Sequence, residues 1–101
     1  MERILNASYT SVYINCHQAA KQLEFKIFKE DIATGIILFK IGWSLWSFGE
    51  EFRITIESEG KNTTKVTIGS ESSIGAQVYD WGKNKDNIIL FFETLSLLMK
   101  G

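Results

Sequence analysis

The sequence predicts an α+β fold in which a curved antiparallel sheet carries two helices packed on one face. The first observation is a strict alternation of apolar and polar side chains on both sides of a short turn, which is typical of a β-hairpin with one buried face. Its inward members are Phe52, Ile54 and Ile56, then Thr64, Val66 and Ile68, with the turn at residues 59–62. The second observation is an apolar stripe at helical spacing near each end of the chain. Together they predict the order β-α-β-β-β-β-α in a single domain over residues 1–101.

The N-terminal part of the chain predicts a strand followed by a helix. Residues 3–8 form the expected strand, and Ser8 or Thr10 then caps the helix by accepting a hydrogen bond from a free backbone N–H. Apolar and small side chains recur along one face of this helix, which predicts that it packs closely on the sheet. They are Val12, Cys16, Ala19, Ala20 and Leu23.

Two further strands are expected before the hairpin. Residues 24–30 form the first of them, with Phe25 and Ile27 on one face. Residues 36–39 are apolar on both faces, which favours a central strand. Gly42 interrupts the pattern and predicts a bulge or a bend.

The C-terminal helix is predicted to begin near Lys83, after a stretch at 70–78 without periodicity that favours a loop. Its broad apolar face comprises Ile88, Phe91, Phe92, Leu95, Leu98 and Met99. Lys100 in the last turn suits the helix dipole, and Gly101 is typical of the position that follows a helix.

The composition argues against several classes of protein. The 101 residues carry 11 basic and 12 acidic side chains, spread singly, whereas a nucleic-acid-binding protein concentrates Lys and Arg on one face. The longest apolar run, residues 88–92, is too short to cross a membrane, and the first residues lack the apolar run of a signal peptide. The single Cys cannot form an internal disulfide. We therefore expect a soluble, cytoplasmic protein with no membrane span and no nucleic-acid partner.

No set of side chains in the sequence matches a catalytic or metal site. Cys16 and His17 are the only residues of their types, and neighbours on a helix point about 100° apart, too divergent for a nucleophile–base pair. One Cys and one His also fall short of the three or four ligands that zinc needs. A helix start at 82–85 has the Gly and Lys of a phosphate-binding loop, but Gln77 and Asn84 stand where a Walker loop has Gly and Ser or Thr. We expect no enzyme, no metal and no cofactor.

The segment around Trp43, Trp46 and Phe48 carries more aromatic surface than a turn needs. Alternation places Trp43 and Leu45 opposite Trp46 and Phe48, although a bulge at Gly42 would exchange the two sides. Three interpretations are open: both pairs are buried, the segment forms the rim of an apolar pocket, or one pair forms a contact patch. A contact patch on identical chains would favour a homodimer.

Four short motifs along the chain resemble those of a known group. They are Glu30-Asp31, Gly35-Ile36-Ile37, Ser47-Phe48-Gly49-Glu50 and Asp80-Trp81-Gly82-Lys83-Asn84. In these residues the chain is similar to small bacterial proteins of unassigned role, whose chain order resembles the TATA-binding-protein-like and START-like (helix-grip) folds. In START-like proteins a long C-terminal helix grips a curved sheet, and the cavity between them often holds a lipid or another apolar ligand. The resemblance therefore implies a binding module, and it assigns no functional residue.

Two functions are open from the sequence. The first is a non-enzymatic module that binds a small apolar or amphipathic ligand between the C-terminal helix and the sheet. Its expected lining is Phe25, Ile27, Phe52, Ile54, Phe92 and Leu95. The second is a structural or interaction protein with a solid core, which self-associates through the aromatic segment that contains Trp43, Trp46 and Phe48.

Overall fold

The computed structural model describes residues 1–41, 50–70 and 85–100. The elements in these ranges are β1 (Glu2–Leu5), α1 (Tyr9–Gln22), β2 (Lys26–Asp31), β3 (Ile36–Ile41), β4 (Glu50–Gly60), β5 (Thr63–Ser70) and α2 (Lys85–Lys100). The strands form one antiparallel sheet in the order β1-β5-β4-β3-β2. The α+β class and the predicted order of elements are confirmed.

The β4–β5 hairpin lies in the middle of the sheet, and its alternating apolar side chains face the helices as predicted. All six inward-facing side chains of the predicted pattern are buried against the helices, as are Ile37 and Phe39 of β3. The turn is tighter than the predicted 59–62, because β4 continues to Gly60 and only two residues separate the strands. A register shift between Ser58 and Gly60 accommodates the additional residue at the end of β4.

Strand β3 is an interior strand, paired with β2 on one side and β4 on the other. Its two faces are nevertheless unequal, because Ile37 and Phe39 are buried while Ile36 and Leu38 are half-buried on the opposite face. We call the face that carries Ile36 and Leu38 the open face, and the other the helix face. The apolar run at 36–39 thus marks a strand with neighbours on both sides.

Helix α1 begins where Ser8 accepts a hydrogen bond from the Ser11 N–H at 3.3 Å, so Ser8 and not Thr10 is the cap. The predicted stripe is buried from Val12 to Ala20, and the small side chains let the helix lie close to the sheet. Strand β1 ends at Leu5, earlier than predicted, because the chain must leave the sheet to reach this cap. The buried hydroxyl of Thr64 donates to the Ala7 carbonyl at 2.8 Å and holds that exit in place.

Helix α2 packs on the same face through the stripe that the sequence predicts. Ile88, Phe91, Phe92 and Leu95 are buried, and Leu98 and Met99 are partly buried beside them. One polar side chain, Thr94, is also buried on this face. The guanidinium of Arg3 lies 4.9 Å from the centre of the Phe92 ring, which ties β1 to the helix.

Several predictions fall outside the residues that the structure describes. These are the bulge at Gly42, the loop at 70–78 beyond Ser70, the helix start near Lys83, and the arrangement of Trp43, Trp46 and Phe48. They stay predictions.

Candidate functional site

The end of α1 determines where Phe25 lies. Phe25 donates its N–H to the Ala20 carbonyl at 2.9 Å, and Glu24 donates to the Lys21 carbonyl at 3.0 Å. Glu24 has a φ of +62°, so these bonds form a Schellman motif with a left-handed residue just after the helix. Strand β2 therefore begins at Lys26, not at residue 24 as predicted, and Phe25 occupies the junction between α1 and the sheet.

Phe25 is the outer end of a stack of aromatic rings. Its ring lies 5.3 Å from that of Phe39, centre to centre, and Phe39 lies 5.6 Å from Phe52. Phe91 of α2 approaches both Phe25 and Phe39 at 6.4 Å. Phe25 is only partly buried, so one end of this aromatic core reaches the surface beside α1.

Strand β2 is the edge of the described sheet and carries a bulge. Its register with β3 shifts between Ile27 and Lys29, so that Phe28 has no partner residue. Phe28 turns to the open face, where the Nζ of Lys40 lies 5.2 Å from the centre of its ring. Phe28 is 44% exposed at this bulge.

A cleft of about 530 Å³ lies between α1 and β2. We call it the α1–β2 cleft, and it is lined by His17, Lys21, Phe25, Ile27, Phe28, Lys29 and Glu30. Four of these residues are consecutive in β2 and include side chains from both faces of the sheet, so the cleft follows the outer edge of β2 in the described sheet. Its volume is in the range of ligand pockets, which span roughly 300–1,000 Å³.

Charged and polar side chains surround the apolar side chains that line the α1–β2 cleft. Nε2 of His17 lies 2.8 Å from Oε2 of Glu30, a contact that joins α1 to β2. His17 and Lys21 are four residues apart on α1 and therefore share one side of the helix. In the described part of the chain, neither Lys21 nor Lys29 belongs to an ion pair. The cleft thus combines apolar side chains with two ammonium groups that could bind an anion.

The six residues expected to line a ligand site separate into two groups. Phe52, Ile54 and Leu95 are fully buried and Phe92 almost so, in one packed cluster. Phe25 and Ile27 are partly buried and line the α1–β2 cleft. A ligand under α2 stays a prediction, and it would have to separate side chains that are already in contact.

A second depression, of about 370 Å³, lies on the open face. Ile36 and Leu38 contribute its apolar part, and Arg53, Lys29, Asp31 and Thr34 complete its lining. It is smaller than the α1–β2 cleft, and none of the described residues that line it is aromatic. We therefore regard the α1–β2 cleft as the stronger candidate.

The described residues hold no group of three or more His, Cys, Asp or Glu side chains that could bind a metal ion. Cys16 is fully buried on the stripe of α1, while His17 is half-buried and faces Glu30. The two side chains therefore point apart, as expected from their adjacent positions on a helix.

Burial raises the pKa of the Cys16 thiol from its ordinary value of 9.0 to about 12. We expect a thiol reagent to label Cys16 no faster than the protein unfolds, because the folded thiol is covered and protonated. The free energy of unfolding should also fall as the pH rises from 9.0 towards 12, since the unfolded thiol ionises first. Cys16→Ala should remove that part of the pH dependence, measured by denaturant titration. Labelling of the folded protein at the rate of an exposed cysteine would contradict this assignment.

Comparison with known proteins finds no family model and no curated protein that matches this sequence. No helix in the described ranges has the length and apolar character needed to span a membrane.

Proposed function

We propose that this protein is a non-enzymatic binding module that holds a small amphipathic ligand in the α1–β2 cleft. The apolar part of the ligand would lie on Phe25 and Ile27, and its anionic end would face Lys21 and Lys29. The observation that carries the proposal is the combination, in one cleft, of an exposed end of the aromatic core with two ammonium groups that form no ion pair within the described ranges. A cytoplasmic location is part of the same proposal, supported by a single Cys that is buried and free.

The chemical class of the ligand follows from these groups. A ring or alkyl chain gains free energy by covering Phe25 and Ile27, at roughly 25 cal/mol for each Å² of apolar surface removed from water. A carboxylate or phosphate would offset its lost hydration by contacts with the Lys21 and Lys29 ammonium groups. A long-chain or aromatic carboxylate satisfies both requirements. The resemblance to helix-grip proteins favours the same class, although it implies a position under the last helix.

The test compares a charged probe with an uncharged one of equal length. Dodecanoate, kept below its micellar concentration, should raise the melting temperature in proportion to its occupancy of the folded state. Dodecanol should give a smaller shift, because it leaves Lys21 and Lys29 without an anion. A Lys21→Gln, Lys29→Gln double variant should bind dodecanoate several-fold more weakly, close to its affinity for dodecanol.

The matched control is Lys61→Gln, which removes an exposed charge from the β4–β5 turn, away from the α1–β2 cleft. It should leave the response to dodecanoate unchanged. Equal responses of the double variant and the parent protein, or no response to any probe, would reject the proposal.

A further inference from the structure

Strand β2 is an edge strand of the sheet that the described residues form, and this edge has a property that does not involve a small ligand. An edge strand presents unpaired backbone groups to any other strand, and proteins usually protect such edges with Lys residues or bulges. Strand β2 has both, in Lys26, Lys29 and the bulge at Phe28. The opposite edge, β1, is only four residues long. Strand β2 is therefore the longer of the two edges in the described sheet.

The register with β3 assigns each side chain of β2 to a face. Ile27 lies opposite buried Phe39 and Glu30 opposite buried Ile37, so both point to the helix face. The remaining side chains of the strand point to the open face, including Phe28, whose ring lies beside Lys40. Those side chains are Lys26, Phe28, Lys29 and Asp31.

In one antiparallel register, this strand is complementary to a second copy of itself. Each residue then meets a partner on its own face, and each pair repeats across a two-fold axis. The pairs are Lys26 with Asp31, Ile27 with Glu30, and Phe28 with Lys29. Two ion pairs and two contacts of an ammonium group with an aromatic ring result on the open face. A slip of one residue in either direction sets side chains of the open face against side chains of the helix face.

We propose that two copies of this protein associate through the edges of β2, in the register that pairs Lys26 with Asp31 of the second copy. Lys26 then has a selective role, because it opposes pairing with other strands and meets an opposite charge, that of Asp31, in this arrangement. Lys26 also lies opposite Lys40 within its own sheet, and a facing Asp31 would relieve that repulsion. The two sheets become one continuous sheet.

The same pairing extends the α1–β2 cleft on the helix face, and this part of the inference rests on the proposed function. The second copy would bring Ile27 and Glu30 to the side of the cleft that the described residues leave open. Lys29 would then face Phe28 of the second copy on the open face, so Lys21 would contact the anionic end of the ligand in the dimer. The dimer itself does not depend on the ligand. Interfaces of less than about 1,200 Å² are usually weak and transient, and we expect a reversible dimer of that kind from a pair of six-residue strands.

The test exchanges charges across the expected interface and uses the protein without added ligand. Lys26→Asp alone sets Asp against Asp31, and Asp31→Lys alone sets Lys against Lys26, in each case twice per dimer. Sedimentation equilibrium over a wide concentration range should show self-association of each variant weakened by at least about tenfold. An equimolar mixture of the two variants should regain it, because both ion pairs form in the heterodimer, one with the native polarity and one with the polarity reversed.

Two further variants keep the result interpretable. Asp31 also accepts a hydrogen bond from the Ala33 N–H at 2.9 Å, so Asp31→Lys can loosen that turn. Asp31→Asn keeps an acceptor oxygen there and removes the charge, and it should also weaken association. Lys61→Asp, a charge reversal in the β4–β5 turn, should leave association unchanged.

Three results would overturn the proposed dimer. The first is a parent protein that stays monomeric up to millimolar concentration. The second is a mixture that associates no better than its separate components. The third is association that persists in both charge variants and disappears in Trp46→Ser, which would assign the contact to the predicted aromatic segment instead. None of these experiments uses dodecanoate. A result against the dimer can therefore be distinguished from a result against the ligand site.

Discussion

A chain that ends at residue 84 should show no cooperative thermal unfolding. Four side chains of α2 are buried on the sheet, namely Ile88, Phe91, Phe92 and Leu95. Burial of side chains of this size contributes roughly 1.5–3 kcal/mol each. Together they are comparable to the whole net stability of a typical domain, which is about 5–15 kcal/mol. Without α2 the helix face of the sheet would be exposed, and the expected melting curve by circular dichroism is broad and featureless.

A pair of leucines provides the matched test in the full chain. Leu95 is 0% exposed and Leu97 is 69% exposed, two residues apart on the same helix. Leu95→Ala should lower the free energy of unfolding by roughly 2–5 kcal/mol, because it leaves a cavity in the core. Leu97→Ala should change it by less than about 0.5 kcal/mol. Equal losses for the two variants, or a sharp transition in the truncated chain, would show that α2 does not close the core.

Gly35→Ala is expected to have the second large effect. Gly35 has a φ of +74°, a conformation that costs an L-residue with a side chain roughly 1–2 kcal/mol. A Cβ atom there would also lie 2.3 Å from the Ile56 carbonyl oxygen and 2.7 Å from the Tyr9 hydroxyl. The Ile56 N–H donates to the Gly35 carbonyl at 2.8 Å, so the turn cannot move away without losing this bond. We expect the free energy of unfolding to fall by roughly 3 kcal/mol or more, because the substitution both strains the backbone and breaks this hydrogen bond.

Gly69→Ala is the control for this substitution. Gly69 lies in β5, and an added Cβ atom would meet no other atom of the described residues within 4 Å. Its effect should be small and can be stabilising, because Ala reduces the conformational freedom of the unfolded chain. Urea titrations of both variants measure the difference. Similar midpoints for Gly35→Ala and Gly69→Ala would refute the packing described around the β2–β3 turn.

The sequence was sufficient for the elements that have one buried face. Phe52, Ile54 and Ile56 alternate without interruption, so the periodicity alone identifies a strand and its inner face. The apolar stripe from Val12 to Ala20 likewise identifies α1 and its buried face. Such patterns can be recognised in the local sequence, because the burial of each residue depends on which face of its strand or helix it occupies.

Strand β2 was predicted less well, for a physical reason. Its bulge places Phe28 and Lys29 on the same face, which breaks the period of two that the prediction needs. Its start is shifted by Glu24, which has a positive φ although it is not Gly, and no residue type signals that conformation there. The strand is nevertheless the one that forms the candidate site.

The α1–β2 cleft itself could not be derived from a local pattern. It depends on how closely α1 approaches β2, and that distance is held by Phe25 against Phe39 and by His17 against Glu30. These contacts join residues that lie 13–14 positions apart in the sequence. The only local signal was the placement of His17 and Lys21 one turn apart, beside the buried stripe of α1. Phe25 and Ile27 could therefore be predicted from the sequence, whereas the polar groups around them could not.

The central claim is that the α1–β2 cleft is the binding site, and a titration followed by two-dimensional amide NMR tests it most directly. Dodecanoate should shift the signals of Lys21, Phe25, Ile27 and Lys29 in a saturable way. The signals of Leu95 and of other residues between α2 and the sheet should stay in place. Saturable shifts confined to the residues under α2, or no saturable shift at any residue, would contradict the account.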